Sequence, residues 1–117
     1  MTPAEIKRKR TESILKEVLP EALATLDDER INHLNVTEVL CSRGRYDAKV
    51  FLDPTGISEE EQREALKQLR KVSGYLKTHI RDSEGWFRAP NFTFEFDNEL
   101  ERISRMDALF AQIASKK

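Results

Sequence analysis

Phe92, Phe94 and Phe96 alternate with Thr93, Glu95 and Asp97 near the end of the chain. Successive side chains of a strand point to opposite faces, so this period of two demands a sheet with one dry face and one wet face. Such a sheet needs a cover, and the remaining sequence offers helices. From about Pro3 to Leu26, Ile14, Leu15, Val18, Leu19, Ala22, Leu23 and Leu26 fall within half a turn of a helical wheel. Pro20 lands on the opposite face, where it removes a backbone donor; the segment is either one bent helix or two short helices meeting there. Leu34 and Val36 then alternate with polar neighbours, but the phase slips by one residue before Val39 and Cys41. That slip places a β-bulge near Thr37 and Glu38. Arg43-Gly44-Arg45 reads as a turn, with Gly44 free to take positive φ. Val50, Phe51 and Leu52 continue as the second arm of a hairpin, which ends at Asp53-Pro54-Thr55-Gly56.

Ser58-Glu59-Glu60-Glu61 is a capping box, with Ser58 as N-cap and Glu61 reaching back from the third position. The glutamates also suit the positive end of the helix dipole, so the acidic run is explained by helix chemistry. Leu66, Leu69 and Val72 provide an apolar face until Gly74, and Leu76 and Ile80 resume helical spacing from Tyr75 to about Arg81. Gly74 is either the left-handed cap of one helix or a kink between two, where backbone comes close to a ligand. Periodicity leaves both readings open. Asp82-Ser83-Glu84-Gly85 stops the pattern, and a last helix is expected from about Leu100 to Ser115 on the face of Ile103, Met106, Leu109, Phe110 and Ile113. The order is helix, strand, strand, helix, helix, strand, helix. It predicts a single α+β domain over residues 1–117 with no separate tail, a three-stranded sheet carrying its helices on one face.

Several function classes drop out. The longest unbroken apolar run is Ala108 to Ala111, far short of the roughly 20 residues that cross a bilayer. Glu12, Lys16, Glu17 and Glu21 interrupt the stretch after the basic start, which excludes a secretory leader. Cys41 is the single cysteine, so neither an internal disulfide nor a cysteine-based zinc site is available. His33 and His79 belong to no HExxH pattern, and no phosphate-binding glycine loop or GxGxxG occurs. Glu95 and Asp97 read as the wet face of a strand, and Cys41 as a buried strand residue. A monomeric cytoplasmic domain is expected, with no catalytic residue, metal, cofactor, small-molecule substrate or membrane partner.

The 20 Lys and Arg residues nearly balance the 21 Asp and Glu residues, but the two signs are segregated. Lys7, Arg8, Lys9 and Arg10 face only Glu5, while Arg43, Arg45 and Lys49 face only Asp47. Between residues 66 and 81, Lys67, Arg70, Lys71, Lys77 and Arg81 occur with no acid at all. The compensating acids gather at 27–29, 59–64 and 95–101. Cations near a helix C-terminus offset its dipole, which could account for Arg70 and Lys71 before Gly74. It does not account for the cations beyond Gly74. On a wheel Arg70, Lys77 and Arg81 fall within about 40° of one another. A basic face of this kind is the footprint of a polyanionic partner.

The segment Val72-Ser73-Gly74-Tyr75-Leu76-Lys77, the strand Pro90-Asn91-Phe92-Thr93-Phe94-Glu95-Phe96-Asp97 and the ending Arg105-Met106-Asp107-Ala108-Leu109-Phe110 together resemble the ribosome-binding factor A family. The resemblance spans nearly the whole chain. It implies a type II KH-like domain with a helix–kink–helix at Gly74 in place of the usual GxxG; Val72 stands where the family commonly has alanine. It implies a bacterial factor, linked to cold adaptation, that binds the free 30S subunit and its 16S rRNA and assists late maturation, including the 5′ end. Charge and resemblance together give a candidate RNA-binding set of Arg43, Arg45, Lys67, Arg70, Lys71, Ser73, Gly74, Lys77 and Arg81. The alternative is a protein–protein adaptor of the same fold, because architecture alone does not fix function.

Overall fold

A computed structural model describes residues 2–97, which form α1 (Pro3–Ala24), β1 (Val36–Cys41), β2 (Asp47–Leu52), α2 (Glu59–Glu84) and β3 (Asn91–Phe96). The helix expected at about 100–115 lies outside the described residues. The strands lie in the order β1-β2-β3, the first pair antiparallel and the second parallel. The pairing register shifts between Val36 and Glu38, the bulge that the slipped phase requires. Because of it, Val36 opposite Leu52, Val39 opposite Val50 and Cys41 opposite Ala48 share one face of the hairpin. Phe92, Phe94 and Phe96 stand beside Ala48, Val50 and Leu52 and widen that same face.

Both helices cover it. Leu15, Leu19 and Leu23 of α1 join Ala65, Leu69, Leu76 and Ile80 of α2 in one core with the strand residues, and α1 packs on β1 while α2 packs on β3. Thr2 caps α1, its Oγ1 accepting from the Glu5 N–H at 3.2 Å, and Pro3 occupies the first turn where its missing donor costs nothing. The helix continues through Pro20, so the one-helix alternative holds. Lys7, Lys9 and Arg10 project from its exposed start. None of the described helices is long and apolar enough to cross a membrane.

The capping box of α2 is complete. Ser58 Oγ accepts from the Glu61 N–H at 3.2 Å and the Ser58 N–H donates to Glu61 Oε1 at 3.3 Å. The Ser58 bonds hold the Glu61 carboxyl below its usual pKa. The expected pair of helices meeting at Gly74 is instead a single helix of 26 residues. Leu69 and Leu76, two turns apart on either side of Gly74, are both fully buried, and their packing carries the helix across a residue that costs about 1 kcal/mol. The left-handed cap lies at Gly85, with φ of 66°.

Truncating Leu15 to alanine should cost about 2–5 kcal/mol in urea denaturation, and half-buried Val18 less. Unchanged midpoints for both variants would make α1 an appendage rather than half of the cover.

Candidate nucleic-acid interface

Because α2 is continuous, a single wheel describes its whole surface. Arg70, Gly74, Lys77 and Arg81 fall within about 60° of one another, with Lys67 beside them and Lys71 on the flank. Arg63 belongs to the same stripe and extends it to about 27 Å. Its place among the acids of residues 59–64 hid it from a reading based on charge blocks. Lys67, Arg70 and Lys71 are exposed and make no ion pair among the described residues. Arg81 is paired to its neighbour Asp82 at 3.1 Å.

Two members of the expected set have structural duties. Lys77 is half-buried, and its Nζ donates to Asn91 Oδ1 at 2.8 Å, while Asn91 Nδ2 donates to Asp47 Oδ1 at 3.4 Å. This chain of bonds fastens α2 to the first residues of β2 and β3. Ser73 is half-buried too, and its hydroxyl donates to the Arg70 carbonyl at 2.9 Å, which commits its proton to the helix itself. Gly74 has no such duty. It is exposed, its φ is not positive, and a Cβ there would meet nothing within 4 Å.

Arg43 and Arg45 lie apart from this stripe, in the β1–β2 turn. There the Arg45 N–H donates to the Ser42 carbonyl at 2.9 Å and the Asp47 N–H to Ser42 Oγ at 3.1 Å. The residue with positive φ is Arg45, at 59°, and not Gly44 as the sequence suggested. Gly44 lets the Tyr46 ring lie against the turn, where a Cβ would meet the ring and displace it. The Arg88 guanidinium sits 4.0 Å from the centroid of that ring. Arg45 thus joins a cleft with the start of α1 and the α2–β3 connection, a grouping that sequence reasoning missed because the residues between the break at 82–85 and the strand from Pro90 carried no pattern.

Asp97, expected on the wet face of the strand, is instead buried just past the end of β3, where its N–H donates to the Leu52 carbonyl at 2.7 Å and Oδ2 accepts from Thr37 Oγ1 at 3.4 Å. Asp28 accepts from Arg30 Nε and Nη2, both at 2.9 Å, which lowers its pKa and explains part of one acidic run as turn chemistry. His79 stacks on Tyr75 one turn earlier, with centroids 5.8 Å apart. Burial, with the Glu12 carboxylate second, pushes the Cys41 thiol up to about 11. Glu12 Oε2 meanwhile accepts from the Cys41 N–H at 2.7 Å, fastening α1 to the outer strand. Among the described residues, no group of three or more His, Cys, Asp or Glu is placed to hold a metal.

A sheet of this order, covered by two helices of which one carries a cationic stripe, defines a KH-like α+β domain of type II. A sequence profile of the ribosome-binding factor A family matches residues 7–110. Ribosome-binding factor A of Campylobacter jejuni is 50% identical over 117 residues, covering 100% of this chain and 98% of that one. The Wolinella succinogenes protein of that name is 46% identical with the same coverage, and that of Helicobacter pylori 40% over 110 residues, 94% of each chain. The crystal structure of ribosome-binding factor A from Thermus thermophilus superposes with a TM-score of 0.66 at 25% identity, covering 76% of this chain and 93% of that one. The chain belongs to the ribosome-binding factor A family.

Two outcomes are expected from the local geometry. Arg45→Gly removes a side chain from a left-handed backbone and should raise stability by about 1 kcal/mol in urea denaturation. The raised pKa of Cys41 keeps the thiol protonated at pH 8, so iodoacetamide should label it far more slowly than a free cysteine, and unfolding should restore the ordinary rate.

Proposed function

We propose that this chain is a non-catalytic factor that binds the free 30S subunit and assists late maturation of its 16S rRNA, including the 5′-terminal region. It would act in the cytoplasm as a monomer and without a cofactor. Family membership supports the ribosome as partner, and the α2 stripe supports rRNA as the surface contacted. The observation that carries the reading is Gly74. A glycine in mid-helix loses about 0.5–1 kcal/mol relative to alanine, and nothing within the described structure needs the missing side chain. The exposed backbone it leaves lies between Arg70, Lys77 and Arg81, where a sugar–phosphate chain could approach the helix closely. Lys and Arg contacts to phosphate would supply most of the affinity, and shape and context would supply specificity.

The test is to titrate purified small subunits with alanine variants of Lys67, Arg70, Lys71 and Arg81 at several salt concentrations. Each lost phosphate contact should flatten the dependence of log K on log salt by about 0.7–0.9. Stability should shift by less than about 0.5 kcal/mol, since these side chains are exposed. Lys77→Ala needs a stability control because it also breaks the bond to Asn91. Charge reversal at Glu59 and Glu60 should leave affinity intact. Equal affinities and slopes across the cation variants would remove this face as the rRNA contact, and binding that survives removal of accessible rRNA would favour the adaptor reading.

A further inference from the structure

At the end of the molecule away from the α2 capping box, the start of α1, the β1–β2 turn and the α2–β3 connection enclose a half-open cleft of about 760 Å³. That is the size range of clefts that hold small ligands. Among the described residues four cations line it, Lys7, Arg10, Arg45 and Arg88, and no acidic residue does. Its aromatic wall is Trp86 and Phe87. Trp86 is half-buried and packs against the core, so its ring is held in place. Phe87 is 99% exposed, a cost in hydration for a ring with no partner among the described residues. At the rim, the 58% exposed Tyr46 ring carries the Arg88 guanidinium, which orients that cation. The left-handed backbone of Arg45 is a further local cost borne at the same place.

Cations beside bare aromatic faces are what an unpaired nucleotide requires, phosphate for the first and base for the second. An acidic peptide would use the cations but would leave Phe87 without a role. We infer that this cleft binds a single-stranded RNA segment, with a base stacked on Phe87 against the Trp86 wall and its phosphates held by Lys7, Arg10, Arg45 and Arg88. It is a second RNA site, distinct from the α2 stripe. The stripe stops at Arg81, one turn before Gly85 enters the cleft lining, so a strand leaving one surface meets the other.

Trp86 is the only tryptophan, which makes the cleft report on itself. The full chain is titrated with a short single-stranded oligoadenylate while Trp86 emission is followed, and anisotropy of labelled RNA provides a second reading. Saturable quenching is expected. Phe87→Ala should weaken binding about 5- to 150-fold with an unchanged melting temperature, the effect of losing one stacked base. Arg45→Gly should flatten the salt dependence by about 0.7, and Lys16→Ala, at an exposed cation of α1 outside both surfaces, should change affinity by less than about twofold. This experiment needs no ribosome, so it can fail while the 30S reading stands, or succeed while that reading falls. An abasic ribose-phosphate chain or polyglutamate that binds as tightly as the oligoadenylate would overturn the inference. So would a Phe87→Ala variant with undiminished affinity.

Discussion

The parallel pairing of β2 with β3 is the constraint on which the rest depends. A hairpin cannot close a parallel pair, so the chain must return to the end of the sheet where β2 begins before β3 can start. α2 makes that return, and its dimensions decide what is left exposed. Six strand residues span about 20 Å, whereas the 26 residues of α2 span about 39 Å. Only the stretch from Ala65 to Ile80 is buried against the sheet. The acidic first turn and the Arg81 turn overhang at either end. The connection at 85–90 then has to double back to Asn91, beside Asp47, and in doing so it walls the aromatic cleft.

That arrangement explains how a nearly neutral chain presents strongly cationic surfaces. Acids are placed where they stabilise structure: Glu61 in the capping box, Asp28 in a turn with Arg30, Glu12 on the edge of β1. Several cations of the α2 stripe and the cleft form no such internal pair among the described residues, and Lys77 is the member tied into the fold. With the acids placed in other segments, the helix face and the cleft are left to the cations, where a polyanion gains most.

What could be read in the sequence was whatever local chemistry determines. The phenylalanine alternation located β3, the phase slip located the bulge, and Ser58 with Glu61 located the start of α2. Gly56 and Gly85 were read correctly as a turn and a helix stop, but Gly44 and Gly74 were misread because their roles come from side-chain packing. Gly44 makes room for a ring two residues away, and Gly74 stays helical because Leu69 and Leu76 are packed on both sides of it. The α2 cations were legible as a charge block and as one wheel face, and the continuous helix carries that face unbroken through Gly74 and adds Arg63 to it. The cleft was not legible, because Lys7, Arg45 and Phe87 come from three distant segments that meet only at one end of the folded sheet. No periodic pattern marks such a convergence.

The central claim is that the α2 backbone at Gly74 is left bare for a partner rather than for the fold. Replacing it with alanine and measuring both unfolding free energy and affinity for purified small subunits tests this most directly. The added methyl enters open space on a helical backbone, so the free protein should gain about 0.5–1 kcal/mol. Affinity for the subunit should fall in the same variant. A variant that is more stable and binds as well as the wild type would contradict the account.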